Sequence, residues 1–389
     1  MAAARKKIGI LLYNQKLWTG GFYYTLNLIR SLQFLPDAEK PEVCFFYSGN
    51  LTDISNEITT INYPYVSYLP VYVRVNVVQR IINKFKRLID KDAVLLGNYP
   101  ANTVNYIYPC LNFSLDGTYS VLRRIHKIYW IPDFQDKYYP DFFSKEELKN
   151  RDALKKEFIE KNVPLVFSSF NAADDFKKFY PQAENNIQVL RFTSILPDMQ
   201  GVSWEEVSET YNIDGSYFIS PNQFWPHKNH NVVIDAVDLL VKKGINVTLL
   251  FTGKEFNDQA PEYAVNLKKK VADLGLNKQI KFLGFIDRAE QLLLMKHAAA
   301  VIQPSLFEGW STVVEDTKAV GGRMIVSDLP IHREQCVENA VFFQPYDAQQ
   351  LADEIITAQT EPAEIKKIDY DAHIRAFAQD FLTLGNLLN

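Results

Sequence analysis

The stretch that decides the architecture begins with the apolar run Ala299-Ala300-Val301-Ile302. It continues through Gln303-Pro304 into Ser305-Leu306-Phe307-Glu308-Gly309-Trp310-Ser311-Thr312-Val313-Val314-Glu315-Asp316-Thr317-Lys318. A short apolar run, a loop and a segment of helical character make a strand–loop–helix unit. Glu308 and Gly309 then fall between the carboxyl end of a strand and the amino end of a helix, which is where open α/β sheets bind ligands. Ser311 and Thr312 can cap the helix, and Thr312 with Glu315 matches the T-x-x-E capping box. The first free amides and the positive end of the helix dipole form an anion site suited to a phosphate. By itself a glutamate ahead of a helix is ordinarily a solvated charge. A carboxylate beside a phosphate cradle, however, suits a sugar carried on a nucleotide diphosphate.

Outward from this unit, short β-branched or aromatic runs alternate with helical patterns along the whole chain. Strands are expected at 8–13, 43–47, 93–96, 127–131 and 165–168, with a strand-like piece at 188–190 closing the first half. The second half offers 217–220, 247–252, 280–283, 299–303, 324–327 and 341–343. Such alternation argues for parallel sheets built from βαβ units. The expected fold is α/β, with two Rossmann-like domains facing a central cleft: residues 1–196, then 210–369, then a last helix at 370–389 packing back toward the first domain. Asn171 is placed to cap a helix running to Phe179, and the polar stretch 197–209 reads as the linker.

Composition narrows the function. The chain has 389 residues, 47% hydrophobic and 23% charged, with a net charge of −4. Two domains are the default for that length, and no global basic character points to nucleic acid. Cys44, Cys110 and Cys336 are far apart and form no C-x-x-C pair, and the six histidines show no metal-ligand spacing. With no signal-peptide pattern at the start and no run approaching the ~20 apolar residues of a membrane span, a cytoplasmic protein is expected. The D-x-D at Asp369-Tyr370-Asp371 opens the last helix, where carboxylates suit the dipole. No metal and no cofactor are therefore expected.

With Phe307-Glu308-Gly309 at the head of a second parallel domain, the chain resembles the retaining nucleotide-sugar glycosyltransferases of glycosyltransferase family 4, which have the GT-B fold. The resemblance runs over most of the chain, carried by four or five segments in the right order. The family's signature is two glutamates separated by seven residues, and that count from Glu308 lands on Asp316. The resemblance implies that Glu308 lies beside the donor sugar and that the second acid accepts from ribose hydroxyls. Glu315 is the rival for that second role, but adjacent helical residues point ~100° apart and cannot both face a ribose.

Three further segments extend the resemblance. In Pro221-Asn222-Gln223-Phe224-Trp225-Pro226-His227-Lys228-Asn229-His230 the family places an arginine and, five residues on, a lysine against the donor diphosphate. Lys228 matches the lysine, whereas Gln223 stands at the arginine and removes bidentate phosphate recognition. His227 or His230 would help, or be surface residues. Trp18-Thr19-Gly20-Gly21 follows the first strand, ahead of a helix starting near Phe22. Its two glycines would let backbone approach the donor phosphates, or simply make a tight turn. In Trp130-Ile131-Pro132-Asp133-Phe134-Gln135 the family's His-Asp is replaced by Pro132-Asp133, and Asp133 either binds a sugar or acceptor hydroxyl or caps the next turn.

The implied catalytic set is Glu308, Lys228 and Asp133. The implied donor set adds Gly20, Gly21, Gln223, Gly309, Ser311, Thr312, Glu315 and Asp316, with Phe285 and Ile286 near the base. The implied activity is a metal-independent, retaining transfer of sugar from a nucleotide-diphosphate donor to a glycan or lipid-linked acceptor, in surface polysaccharide or glycoconjugate synthesis. Two alternatives stay open: a nucleotide-sugar-binding pseudoenzyme, suggested by Gln223, Pro132 and Asp316, and a two-carboxylate glycoside hydrolase.

Residues 74–91 fit an amphipathic helix, with Val75, Val78, Ile82, Phe85 and Ile89 opposite Arg80, Lys84, Arg87 and Lys91, and with six basic residues against one acid, Asp90. Either it packs and solvates a basic face, or it attracts anionic lipid and places the protein peripherally on the inner membrane face.

Overall fold

The computed structural model describes residues 5–11, 19–47, 61–71, 77–89, 97–115, 121–199, 201–256, 260–336, 338–361 and 364–388. Two parallel sheets organise it. The first joins β1 (Lys7–Leu11), β2 (Glu42–Tyr47), β3 (Val66–Pro70), β4 (Tyr106–Cys110), β5 (Lys127–Ile131), β6 (Leu165–Phe167) and β7 (Ile187–Val189) in the order β3-β2-β1-β4-β5-β6-β7. The second joins β8 (Phe218–Pro221), β9 (Leu249–Thr252), β10 (Ile280–Gly284), β11 (Ala300–Gln303), β12 (Met324–Ser327) and β13 (Ala340–Phe343) in the order β10-β9-β8-β11-β12-β13. Central strands such as β8 and β11 are buried throughout, as expected where helices cover both faces of a parallel sheet. The two-domain α/β expectation holds.

Each strand order reverses direction once, between β1 and β4 in the first sheet and between β8 and β11 in the second. These are the topological switch points, where neighbouring loops diverge and leave a crevice at the carboxyl ends of the strands. The loops after β8 and β11 are the segments that carry Lys228 and Glu308.

Several expectations need correction. Strands β3 and β4 were not anticipated, because Val-Ser-Tyr-Leu-Pro and Tyr-Ile-Tyr-Pro-Cys each contain a proline, which ordinarily argues against a strand interior. Strand β3 is an edge strand, and in β4 a register irregularity between Ile107 and Cys110 accommodates Pro109. The strand expected at 93–96 lies outside the described residues, as do residues 12 and 13 of the first. The first helix starts at Thr19 rather than near Phe22, so Gly20 and Gly21 belong to its opening turn. The helix Phe170–Phe179 is capped by Ser169, whose hydroxyl accepts from the Ala172 amide, and not by Asn171. The stretch read as a linker contains the helix Trp204–Thr210, capped by Ser203 and packed through Trp204 and Val207 on the second domain.

The chain crosses between domains twice. Leu190 and Phe192 are in the first domain's core, and Leu196 and Met199 already pack on the second. The last helix, Tyr370–Thr383, returns to the first core through Phe377, Ala378 and Phe381, its first turn capped by Asp369. The helix Val77–Ile89 is a different case: its apolar residues are exposed rather than packed, against the reading of a packed helix with a solvated basic face.

Candidate functional site

Glu308 is held by a shell built from the end of β11. Its Oε1 accepts from Lys228 Nζ at 2.6 Å, Ser305 Oγ at 2.6 Å and Gln303 Nε2 at 2.7 Å. Gln303 is the last residue of β11, and its side-chain Oε1 accepts from Nδ2 of Asn222, the residue that follows β8. The two switch-point loops are tied again where the Leu306 amide donates to the His227 carbonyl at 2.7 Å and Asn229 Nδ2 donates to the Pro304 carbonyl at 3.1 Å. The Glu308 side chain is 9% exposed and that of Lys228 is 18% exposed. Burial pushes the Glu308 carboxyl up, but the Lys228 charge and the hydrogen bonds from Lys228 and Ser305 outweigh it and hold the group below its ordinary value. It is a carboxylate fixed through one oxygen.

Ser311 caps the helix Thr312–Val320, its hydroxyl accepting from the Val314 amide. The cap is Ser311 alone, which corrects the capping box drawn between Thr312 and Glu315. Among the described residues none accepts from the amides of Thr312 or Val313, so two donors remain open at the positive end of this helix.

The adjacent acids of this helix are both buried, with different partners. Glu315 accepts from Lys318 Nζ at 2.8 Å, Gln335 Nε2 at 2.9 Å and Tyr370 OH at 2.7 Å. It lines a cavity of about 600 Å³ between this helix and the last one, away from the Glu308 shell. Asp316 receives both terminal nitrogens of Arg288 at 2.5 Å and Ser194 Oγ at 2.5 Å. Gln303, Asn222, Arg288 and Ser194 were not foreseen. Gln303 alone carried a local signal, a polar residue closing a buried strand.

The first domain meets this loop closely. A Cβ on Gly309 would lie 2.7 Å from the Pro132 carbonyl oxygen and 2.8 Å from Asp133 Cβ, so only glycine fits. Trp310 Nε1 donates to the Phe192 carbonyl at 2.8 Å, and Tyr139 OH donates to the Leu306 carbonyl at 3.2 Å. Asp133 accepts the Gln135 amide at 3.0 Å and so does cap the next turn, while its other oxygen faces Gly309. Burial raises its pKa, against the opposing Gln135 hydrogen bond.

The remaining expected residues divide. Gln223 is exposed and accepts from Trp225 Nε1 at 3.0 Å. His230 is a core residue stacked on Phe224 at 4.7 Å, and burial drops its pKa to about 3. Burial also drops His227 to about 3, so neither histidine supplies a cation beside Lys228. Phe285 is exposed on the loop after β10, and Ile286 packs on the second domain's core. Gly21 is buried, with its carbonyl accepting from Thr25 Oγ1. Among the described residues no group of three His, Cys, Asp or Glu could hold a metal ion, and no helix is long and apolar enough to cross a membrane.

Residues 205–375 match the family model described as glycosyl transferases group 1. The O-antigen chain mannosyltransferase RfbU of Salmonella typhimurium is 24% identical over 246 residues, which are 61% of this chain and 62% of that protein. The alignment thus spans less than two thirds of that relative's length. A glycosyltransferase from Rickettsia africae superposes over 99% of both chains with a TM-score of 0.65 at 14% identity. Anabaena HepE, solved in complex with UDP and glucose, superposes over 98% of both chains with a TM-score of 0.61 at 16% identity. This chain has the GT-B fold of two parallel α/β domains, and its second domain matches the glycosyl transferases group 1.

Proposed function

We propose that this protein is a retaining glycosyltransferase that moves a sugar from a nucleotide-diphosphate donor to a glycan or lipid-linked acceptor in surface polysaccharide synthesis, without a metal. The observation that carries the reading is the Glu308 carboxylate, pinned through Oε1 by Lys228, Ser305 and Gln303 at the switch point of the second sheet. The group 1 match over 205–375, the named activity of the O-antigen relative and the UDP and glucose in the HepE crystal support it.

In this reading the donor sugar lies against Glu308. The diphosphate lies between Lys228, which has N–H groups to spare beyond its bond to Glu308, and the open amides of Thr312 and Val313. Departure of the nucleotide diphosphate leaves an oxocarbenium-like centre. A leaving-group oxygen takes the acceptor proton as the hydroxyl attacks the same face. The protein's part is charge neutralisation and positioning. Asp133, facing Gly309, orients a sugar or acceptor hydroxyl. Asp316 acts on the ribose side through Arg288, which it orients and whose guanidinium offers five N–H donors, only part of them spent on Asp316.

The hydrolase reading loses ground because Asp316, its second carboxylate, is taken up by Arg288 and Ser194. Calorimetric titration with UDP, GDP and dTDP sugars, followed by transfer assays on cell extract, tests the proposal. No binding to any of them refutes it, and binding without hydrolysis or transfer supports a pseudoenzyme instead.

A further inference from the structure

The helix Val77–Ile89 is turned the wrong way round for a surface helix. Its half-buried positions are polar: Gln79, Asn83 and Lys86, spaced to share one face. Its apolar residues Val77, Val78, Ile81, Ile82, Phe85, Leu88 and Ile89 are all exposed, from 39% at Ile82 to 88% at Ile89. An ordinary amphipathic helix buries its apolar stripe and solvates the other. Seven large apolar side chains on one outward face form a contiguous patch of the kind that marks an interaction site.

The charges select what covers that face. The helix carries Arg80, Lys84, Lys86 and Arg87 and no acid. On a helical projection Lys84 borders the apolar arc on one side and Lys86 on the other. A second copy docked through this face would bring two sets of basic groups together with no acid to offset them. A surface of anionic lipid supplies diffuse negative charge beside a hydrocarbon interior, which matches an apolar arc flanked by basic groups. We infer that this helix lies in the interface of an anionic membrane, with the seven apolar side chains inserted among the acyl chains and Arg80 and Lys84 at the headgroups. The inference does not depend on the reaction proposed above, and its test reads no activity.

The experiment is cosedimentation of the full chain with vesicles of phosphatidylcholine containing about a quarter phosphatidylglycerol, and with vesicles of phosphatidylcholine alone. Binding is expected to the anionic vesicles and to weaken in high salt. Phe85→Glu with Leu88→Glu should lower it at least about a hundredfold, and Arg80→Ala with Lys84→Ala about thirtyfold. These side chains are exposed, so both variants should keep the thermal midpoint of the parent. As a second readout, Leu88→Cys carrying a polarity-sensitive fluorophore should shift to the blue on adding anionic vesicles; the native cysteines are buried and will not compete for the label. Three results would overturn the inference: no pelleting with anionic vesicles, equal pelleting with neutral ones, or a dimer dissociated by the Phe85/Leu88 pair in a protein that ignores vesicles.

Discussion

Replacing Glu308 by glutamine isolates the charge from the shape of the site. The amide oxygen can take the place of Oε1 and still accept from Lys228, Ser305 and Gln303, so what is lost is the carboxylate's charge. At 2.6 Å two unit charges attract by about 6 kcal/mol at an effective dielectric near 20, most of it offset by desolvation. Removing one member of a buried pair costs about 3–5 kcal/mol because the other is left uncompensated. Lys228 keeps some access to water, so a loss of about 2 kcal/mol of stability is expected. Turnover should fall about a hundredfold to a thousandfold, the usual cost of losing one preorganised electrostatic group. Affinity for the free nucleotide diphosphate should change less than about threefold, since Glu308 is placed on the sugar.

Initial rates of donor turnover, with calorimetric titration of the nucleotide, measure the two quantities separately. Turnover within a few fold of the parent would refute the role given to Glu308. An equal loss of nucleotide affinity would move it from the sugar to the nucleotide. The pH dependence offers an independent check. The folded pKa of Glu308 is depressed, so its contribution to stability is complete above the ordinary value of 4.5 and is lost as pH falls through the folded value. The glutamine variant should show a correspondingly weaker loss of stability in acid.

Three other perturbations test the surroundings. Gly309→Ala must open the contact with Pro132 and Asp133, at about 1–3 kcal/mol, and should cut activity about tenfold by shifting Glu308; calorimetry and kinetics unchanged from the parent would mean that the domains do not meet this closely in solution. Arg288→Ala leaves Asp316 buried with Ser194 alone and should cost about 2–3 kcal/mol in urea unfolding, most of it recovered when Asp316→Asn is added; simple additivity of the two substitutions would argue against the pair. His230→Phe should protect the fold in acid. Its folded pKa of about 3 lies below the ordinary 6.5, so the unfolded chain takes up a proton that the folded one refuses. Stability then falls as pH drops from 6.5 toward 3, by about 1.4 kcal/mol per pH unit for each such group. Urea unfolding across that range should show a shallower slope in the variant, and equal slopes would place the imidazole in water.

Alternation of apolar runs and helical patterns was enough to read two parallel sheets, because buried parallel strands are short, apolar and locally recognisable. Proline hid β3 and β4, since whether a strand sits at an edge or carries an irregularity is decided by its neighbours. The site divides the same way. Glu308 was legible because a strand end, a small residue and a helix start lie within one short segment. The difference between Glu315 and Asp316 was only half legible: helical geometry says that they diverge, but not what they meet. Glu315 meets Tyr370 from far downstream, and Asp316 meets Ser194 from far upstream.

Those distant partners are the two places where the chain crosses between domains. The Ser194 amide also donates to Tyr370 OH at 2.9 Å, so both crossings are fastened to each other and to one helix, Thr312–Val320. That helix begins three residues after Gly309, at the loop that holds Glu308. A rotation of one domain on the other about these crossings has its pivot beside the candidate site. Points near a pivot move least, so any such rotation would displace the Glu308 shell less than the outer edges of the cleft.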